Sequence, residues 1–100
     1  MERQVILREI IDSIKSLKKD IRKKYRAEVV GIFGSFVRGE EKEGSDIDLL
    51  VEFSADADLF DFVGLSIFLE ERLGRKVDVV PRDTVRAELR EIILEEAVPV

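Results

Sequence analysis

The sequence predicts a small α/β (α+β) fold, with a three-stranded β-sheet flanked by about four helices, one of them a single turn. Apolar residues recur at helical spacing near both ends and in the middle of the chain, and three short segments rich in Val, Ile and Phe lie between them. The order α-β-α(turn)-β-α-β-α is typical of one sheet with helices packed against it. A chain of 100 residues supports one core rather than two, so we expect a single domain over residues 1–100.

The first half of the chain is predicted to contain one long helix, one strand and one helical turn. The strand covers Glu28–Phe33, and the turn covers Ser35–Gly39. The polar segment Glu40–Ser45 is expected to be a loop. The long helix covers Val5–Lys24, and its apolar residues share one helix face: Leu7, Ile10, Ile14, Leu17 and Ile21.

In the middle of the chain, a second strand is predicted over Asp46–Phe53 and a turn over Ser54–Asp58. A helix follows over Leu59–Leu73, and Gly74 stands where a C-terminal cap glycine belongs. The apolar residues that fix the period of this helix are Phe62, Leu65, Leu69 and Leu73.

A third strand and a last helix complete the predicted fold. The strand covers Lys76–Val80 and is stopped by Pro81. Asp83 or Thr84 can cap the helix that follows. Because three strands are few, we expect a sheet edge or a helix face to remain free for a partner. The residues expected on the buried side of the last helix are Val85, Leu89, Ile92 and Ile93.

The composition limits the chemistry that this chain can perform. It contains no histidine, which excludes imidazole acid–base catalysis and His-ligated zinc. It contains no cysteine, so it has no disulfide or thiolate metal site, and we expect a cytoplasmic protein. No apolar segment approaches the roughly 18 residues that cross a bilayer, so no membrane association is expected. Any catalysis must use carboxylates, hydroxyls, Lys, Arg or a hard metal ion.

Charge is unevenly distributed along the chain. The net charge is −5, but residues 1–26 carry nine Lys/Arg and only four Asp/Glu. A solvated helix face is the more common explanation of such a cluster, and contact with an acidic partner or RNA is the alternative. The basic residues concerned are Lys18, Lys19, Arg22, Lys23, Lys24 and Arg26.

Two aspartates interrupt the second predicted strand. Because side chains alternate along a strand, Ile47 and Leu49 face the core while Asp46 and Asp48 share the other face, with their Cα atoms about 6.6 Å apart. Like charges this close repel each other unless a cation lies between them. Oxygen ligands without histidine favour Mg²⁺ or Mn²⁺ over zinc.

Asp78 adds a third carboxylate in the third predicted strand, where Val77 and Val79 face the other way. If the third strand lies beside the second, the three carboxylates converge. Such a set can hold two metal ions about 3.5–4 Å apart for an in-line displacement at phosphorus.

The Gly34-Ser35 pair ends the first predicted strand. A glycine at that position lets backbone N–H groups approach a phosphate closely, and the Ser35 hydroxyl adds a donor. Arg38 and Ser45 are further candidates for phosphate contacts. Each feature is common by itself, since Gly-Ser usually forms a turn and Asp-x-Asp usually faces solvent. Their order and matching faces together indicate a site for metal and phosphate.

A second Asp-x-Asp pair shows how little the spacing means alone. Asp56 and Asp58 have the same separation but lie in a predicted turn before a helix, where Asp58 is better explained as an N-cap.

The motifs together resemble the signature of the nucleotidyltransferase superfamily, which includes DNA polymerase β and kanamycin nucleotidyltransferase. The small size and the near-complete coverage of the chain are most similar to its minimal nucleotidyltransferase (MNT, MntA-like) branch. The stretches that carry the resemblance are Gly34-Ser35-Phe36-Val37-Arg38-Gly39, Ser45-Asp46-Ile47-Asp48-Leu49 and Val77-Asp78-Val79.

The resemblance implies a mixed sheet flanked by helices, two Mg²⁺ ions and a nucleoside triphosphate, with ATP the expected substrate. By position, it implies that Asp46 and Asp48 bind metal and that Asp78 completes the site and helps activate the acceptor hydroxyl. Gly34 and Ser35 would hold the triphosphate. Members of the MNT branch are typically encoded beside a HEPN-domain protein, and the two form a toxin–antitoxin pair. The MNT member antagonises a HEPN ribonuclease, in some cases by transferring AMP to a tyrosine.

The leading hypothesis is therefore an Mg²⁺-dependent enzyme that moves AMP from ATP to a hydroxyl of a HEPN partner protein and releases pyrophosphate. The alternative is an antitoxin that neutralises the HEPN ribonuclease by binding alone, although the intact carboxylate set argues against it. Extension of RNA or DNA ends is a third hypothesis. Direct nucleic-acid binding is not expected, because the chain has little room for a template-gripping domain and is mostly acidic.

Overall fold

The helices and strands alternate along the chain much as predicted. The computed structural model describes residues 2–100, with side chains from Ile6 onward. The elements are α1 (Glu2–Tyr25), β1 (Ala27–Phe33), α2 (Ser35–Arg38), β2 (Ile47–Phe53), α3 (Leu59–Leu73), β3 (Val77–Pro81), a 3₁₀ turn (Arg82–Thr84), α4 (Ala87–Glu96) and β4 (Val98–Pro99).

The strands form one mixed sheet in the order β3-β2-β1-β4. β1 runs antiparallel to both β2 and β4, whereas β2 and β3 are parallel and joined by the crossover helix α3. The α+β class and the mixed sheet are therefore confirmed. The strand count is corrected from three to four.

The fourth strand was missed because it is short and carries a proline. β4 pairs Val98 with Ile32 and Pro99 with Gly31 at the outer edge of the sheet. A proline without an N–H is tolerated at such an edge. Gly31 permits this pairing, because a Cβ there would lie 2.8 Å from the Val98 carbonyl oxygen.

The core lies between one face of the sheet and helices α1 and α3. The predicted inward residues of the two helices and of β2 are buried or partly buried here. The side chains with no measurable exposure include Ile14, Ile21, Ile47, Leu49, Val51, Leu65 and Leu69. This packing turns the even-numbered residues of β2 toward the opposite face, where the site lies.

Both predicted caps of α3 are present. Asp58 accepts a hydrogen bond from the Asp61 N–H at 3.0 Å, and the Asp61 carboxylate accepts one from the Asp58 N–H. This is a capping box, so Asp58 is an N-cap. Gly74 ends the helix in the left-handed conformation with φ 64°.

The start of the last helix was predicted wrongly, and so were two of the four residues expected on its buried side. Asp83 and Thr84 lie in the 3₁₀ turn, where the Thr84 hydroxyl donates to the Pro81 carbonyl, and α4 begins only at Ala87 without a side-chain cap. Leu89 and Ile92 are 50% and 58% exposed. The physical reason is that α4 lies beside a cleft and makes few contacts with the other elements. Among residues 2–100, no helix combines the length and apolar character needed to span a bilayer.

Candidate active site

Two carboxylates face each other across the parallel strands β2 and β3. Asp48 is the register partner of Asp78, and neighbouring strands lie about 4.8 Å apart. The prediction that Asp46 is the first residue of the second strand was wrong. Asp46 lies directly before β2, which begins at Ile47. Asp48 is half-buried, whereas Asp46 and Asp78 are exposed. Strand register therefore places Asp48 at the centre of an acidic group.

The environment of Asp48 favours its protonated form. The pKa of the Asp48 carboxyl is raised to about 6, first by burial and then by the negative charges of Asp78 and Asp46. The positive charge of Arg38 acts in the opposite direction, and the Glu96 carboxylate adds to the increase. At neutral pH, the negative charges near Asp48 therefore repel its carboxylate.

These residues fit a divalent cation in donor type and in charge. Carboxylate oxygens are the ligands that Mg²⁺ and Mn²⁺ prefer, and a cation would relieve the repulsion that raises the pKa of Asp48. Among the described residues, however, no three acidic side chains are arranged around one point as a closed set of ligands. Asp48 and Asp78 are brought together by register, and Asp46 lies beside them at the strand entrance.

Gly34 joins β1 to α2 and lies against Asp48. Its backbone is in a conformation that favours glycine, with φ 86°. A Cβ at this position would overlap the Oδ2 atom of Asp48 and approach its Cγ to 3.0 Å. The absence of a side chain therefore lets the Gly34 backbone lie directly beside the Asp48 carboxylate.

Arg38 lies one turn further along and is held by two carboxylates. Its Nη1 donates to Glu96 Oε1 at 2.7 Å, and its Nε donates to Glu40 Oε2 at 3.1 Å. The hydrogen bond with Glu40, followed by contacts with Glu96, raises the pKa of the guanidinium above its usual value. The same Glu96 oxygen also accepts the Gly34 N–H at 3.0 Å.

The two serines of the predicted site have different surroundings. Ser35 is the first residue of α2, and its hydroxyl makes no hydrogen bond within the described part of the chain. Ser45 Oγ instead accepts the Lys42 N–H at 2.7 Å, while the Ser45 N–H donates to the Lys42 carbonyl. Ser45 thus fixes the turn that leads into Asp46.

A cleft of about 570 Å³ lies at the site, but Ser35, Ser45 and Asp46 do not line it. One wall carries Gly34, Arg38, Asp48 and Asp78, and the opposite wall is formed by the 3₁₀ turn and α4. The residues that the second wall contributes are Thr84, Val85, Arg86, Leu89, Ile93 and Glu96. The cleft thus places acidic groups and N–H donors beside an apolar surface.

Sequence reasoning missed this second wall and Glu96 in particular. The one available signal was weak. α4 ends in Glu95-Glu96 and has no basic residue in its last turn, an arrangement that opposes the helix dipole. An acidic helix end of this kind suggests that the carboxylates have donors elsewhere in the fold.

Comparison with known proteins identifies the family of this domain. Residues 14–100 match the family model described as the nucleotidyltransferase domain. The protein adenylyltransferase MntA of Thermococcus cleftensis is 38% identical, over 92% of this chain and 93% of the relative. A proposed protein adenylyltransferase of Methanocaldococcus jannaschii is 44% identical, over 90% of this chain and 97% of the relative.

Solved structures share the fold. A proposed minimal nucleotidyltransferase, 36% identical, superposes with a TM-score of 0.73 over 89% of this chain and 94% of its own. A toxin–antitoxin complex with AMP-PNP, 23% identical, has a TM-score of 0.71 over 88% of this chain and 69% of the matched chain. The matched domain covers the Gly34 turn, the three aspartates and the cleft. This chain therefore belongs to the nucleotidyltransferase domain family and is a nucleotidyltransferase.

Proposed function

We propose that the chain transfers AMP from ATP to a hydroxyl group of a partner protein in an Mg²⁺-dependent reaction, as the antitoxin of a HEPN–MNT toxin–antitoxin pair. The observation that carries this proposal is the pairing of Asp48 with Asp78 in the cleft that also contains Gly34 and Arg38. Carboxylates for a cation and N–H donors for phosphate are the groups that nucleotidyl transfer requires.

The relatives support a protein as the acceptor. The T. cleftensis relative is named a protein adenylyltransferase and aligns over nearly its whole length. Chains from two toxin–antitoxin structures share the fold, which is compatible with an antitoxin role for this chain. We assign the HEPN identity of the partner on the resemblance of the sequence motifs. We further propose that residues 1–100 act as one catalytic domain.

The triphosphate is assigned to the Gly34 end of the cleft. The Gly34 N–H and the Arg38 guanidinium are donors that can bind phosphate oxygens, and both already bind a carboxylate there. Ser35 follows Gly34 in the chain, and its hydroxyl is proposed as a further donor. Ser45 contributes by holding the turn before Asp46 rather than through the cleft wall.

The aspartates are assigned to the metal ions and the acceptor. Mg²⁺ ions held by Asp46, Asp48 and Asp78 would neutralise the charge that develops on the reacting phosphate, and Mn²⁺ is the alternative. Asp78, which is exposed, accepts the proton of the acceptor hydroxyl. The hydroxyl oxygen bonds to the α-phosphorus, the bond from this phosphorus to the β-phosphate oxygen breaks, and pyrophosphate leaves with the electron pair.

Intact-mass spectrometry tests this proposal. The chain is incubated with ATP, Mg²⁺ and the HEPN protein encoded beside it, and the partner's mass is measured. We expect one or more AMP-sized additions on the partner, and none with the Asp46→Asn/Asp48→Asn double variant. A partner that stays unmodified, but is neutralised equally by wild type and double variant, would establish the binding antitoxin instead.

A further inference from the structure

The cleft contains a contact that none of the sequence motifs includes. Glu96, the last residue of α4, places one carboxylate oxygen, Oε1, between two donors. The Gly34 N–H donates to it at 3.0 Å, and Arg38 Nη1 donates to it at 2.7 Å. A negatively charged acceptor thus lies at the point where β1 ends and α2 begins.

The two donors are the groups assigned above to the triphosphate. A carboxylate bound by a backbone N–H and a guanidinium has the charge and the acceptor oxygens that a phosphate group would bring to the same donors. One position cannot hold both a Glu96 oxygen and a phosphate oxygen. A triphosphate bound to Gly34 and Arg38 must therefore displace the Glu96 carboxylate.

We propose that Glu96 is a built-in competitor of the nucleotide. Its carboxylate occupies a phosphate position in the nucleotide-free protein and leaves when the triphosphate binds, so Glu96 sets the nucleotide affinity. This inference rests on the proposed function, because it places the triphosphate at Gly34 and Arg38.

The surroundings of Glu96 allow this displacement. Its side chain is 26% exposed, so water can solvate the released carboxylate. Within the described part of the chain, α4 makes few contacts with the other elements. Segments with few contacts open at low free energy. After Ala97 the chain is anchored by the pairing of Val98 with Ile32. The carboxylate can thus leave while β4 stays in the sheet.

An alternative role for Glu96 is to orient Arg38 for the phosphate. The structure disfavours this alternative, because Arg38 is also held through Nε by Glu40 Oε2 at 3.1 Å. The two roles predict opposite changes in nucleotide affinity when Glu96 is replaced. Removing a competitor tightens nucleotide binding, whereas removing a positioning residue weakens it.

The test is calorimetric titration of wild type, Glu96→Gln, Glu96→Ala and the control Glu95→Gln. Glu95 is the exposed neighbour, and its substitution removes the same charge without touching Gly34 or Arg38. Each protein is titrated with a non-hydrolysable ATP analogue plus Mg²⁺, and separately with inorganic tripolyphosphate in EDTA. We expect both Glu96 variants to bind both ligands about tenfold more tightly, as for the release of one charge-assisted hydrogen bond. Glu95→Gln should bind as wild type does.

The other outcomes each overturn the inference in a different way. If wild type binds the analogue and the Glu96 variants bind it equally or more weakly, Glu96 is not a competitor and the proposed function stands. If Glu95→Gln tightens binding as much as Glu96→Gln, the effect is one of net charge. If none of the four proteins binds the analogue, the proposed function fails, and the inference fails with it.

Discussion

At the scale of single residues, Gly34 decides how closely the backbone after β1 approaches the Asp48 carboxylate. Gly44 offers a matched control, because its φ of 85° is nearly the same as the 86° of Gly34, yet a Cβ at Gly44 would meet nothing within 4 Å. Gly44→Ala therefore tests the effect of a side chain at positive φ that makes no contact with the site.

We expect Gly44→Ala to lower the free energy of unfolding by about 1–2 kcal/mol, the cost of a left-handed conformation, and to leave nucleotide binding unchanged. Gly34→Ala places a side chain at a similar φ with ψ −153°, a combination essentially restricted to glycine, and also pushes against Asp48. It should therefore lower stability further and weaken ATP binding. Urea unfolding and calorimetric titration measure the two effects, and equal ATP affinity in both variants would contradict the assignment of the triphosphate to Gly34.

Asp48 links the site to stability through its pKa of about 6, which lies above the ordinary value of 3.8. Between these values the folded state binds more protons than the unfolded state, so the free energy of unfolding falls as the pH rises from about 4 to 6. For a half-buried group with this shift, the free energy of unfolding falls by about 1–2 kcal/mol over this pH range, after allowance for solvent screening.

We expect Asp48→Asn, measured in EDTA, to be more stable than wild type at pH 7 by about 1–2 kcal/mol and to lose most of the decline between pH 4 and 6. The physical reason is that the substitution removes a charge that burial, Asp78 and Asp46 disfavour. Denaturant unfolding at several pH values measures this, with Asp12→Asn on the exposed face of α1 as the control. An unchanged pH profile in Asp48→Asn would show that another group carries the dependence.

At the scale of elements, the parallel register of β2 and β3 should couple metal binding to folding. Only the folded sheet holds Asp48 opposite Asp78, so Mg²⁺ or Mn²⁺ should stabilise the protein by mass action. At a free metal concentration tenfold above Kd, we expect about 1.4 kcal/mol, or several degrees in Tm. Asp46→Asn and Asp48→Asn should each reduce this response in thermal melts. A Tm indifferent to millimolar metal in all three proteins would count against the metal site.

The elements also show which parts of the fold the sequence could predict. The face on which Asp48 lies could be predicted from the inward Ile47 and Leu49, because alternation along a strand is a local property. The contact of Glu96 with Gly34 joins residues 62 positions apart, and no local pattern encodes it. β4 was missed for a related reason, since a two-residue strand is defined by its partner β1 and not by its own sequence.

At the scale of the whole molecule, the chain is too small to enclose both substrates. The Cα radius of gyration is 12.9 Å, close to the roughly 13 Å of a compact 100-residue domain. The cleft of about 570 Å³ is lined by the exposed Asp78, and the exposed Asp46 lies directly before β2. For the proposed reaction we therefore expect a second protein to cover the cleft, exclude water and present the acceptor hydroxyl.

We expect the isolated chain to bind ATP with Mg²⁺ but to release pyrophosphate at least about tenfold more slowly than in the presence of its partner, because the acceptor is neither positioned nor shielded from water. A coupled pyrophosphate assay at saturating ATP measures the difference.

The control is a partner in which the acceptor residue found by mass spectrometry is replaced, for example Tyr by Phe. This partner covers the cleft without supplying a hydroxyl, so pyrophosphate release should stay at the level of the isolated chain. Equal rates with and without the intact partner would mean that the cleft completes the reaction alone, with water or a small molecule as the acceptor.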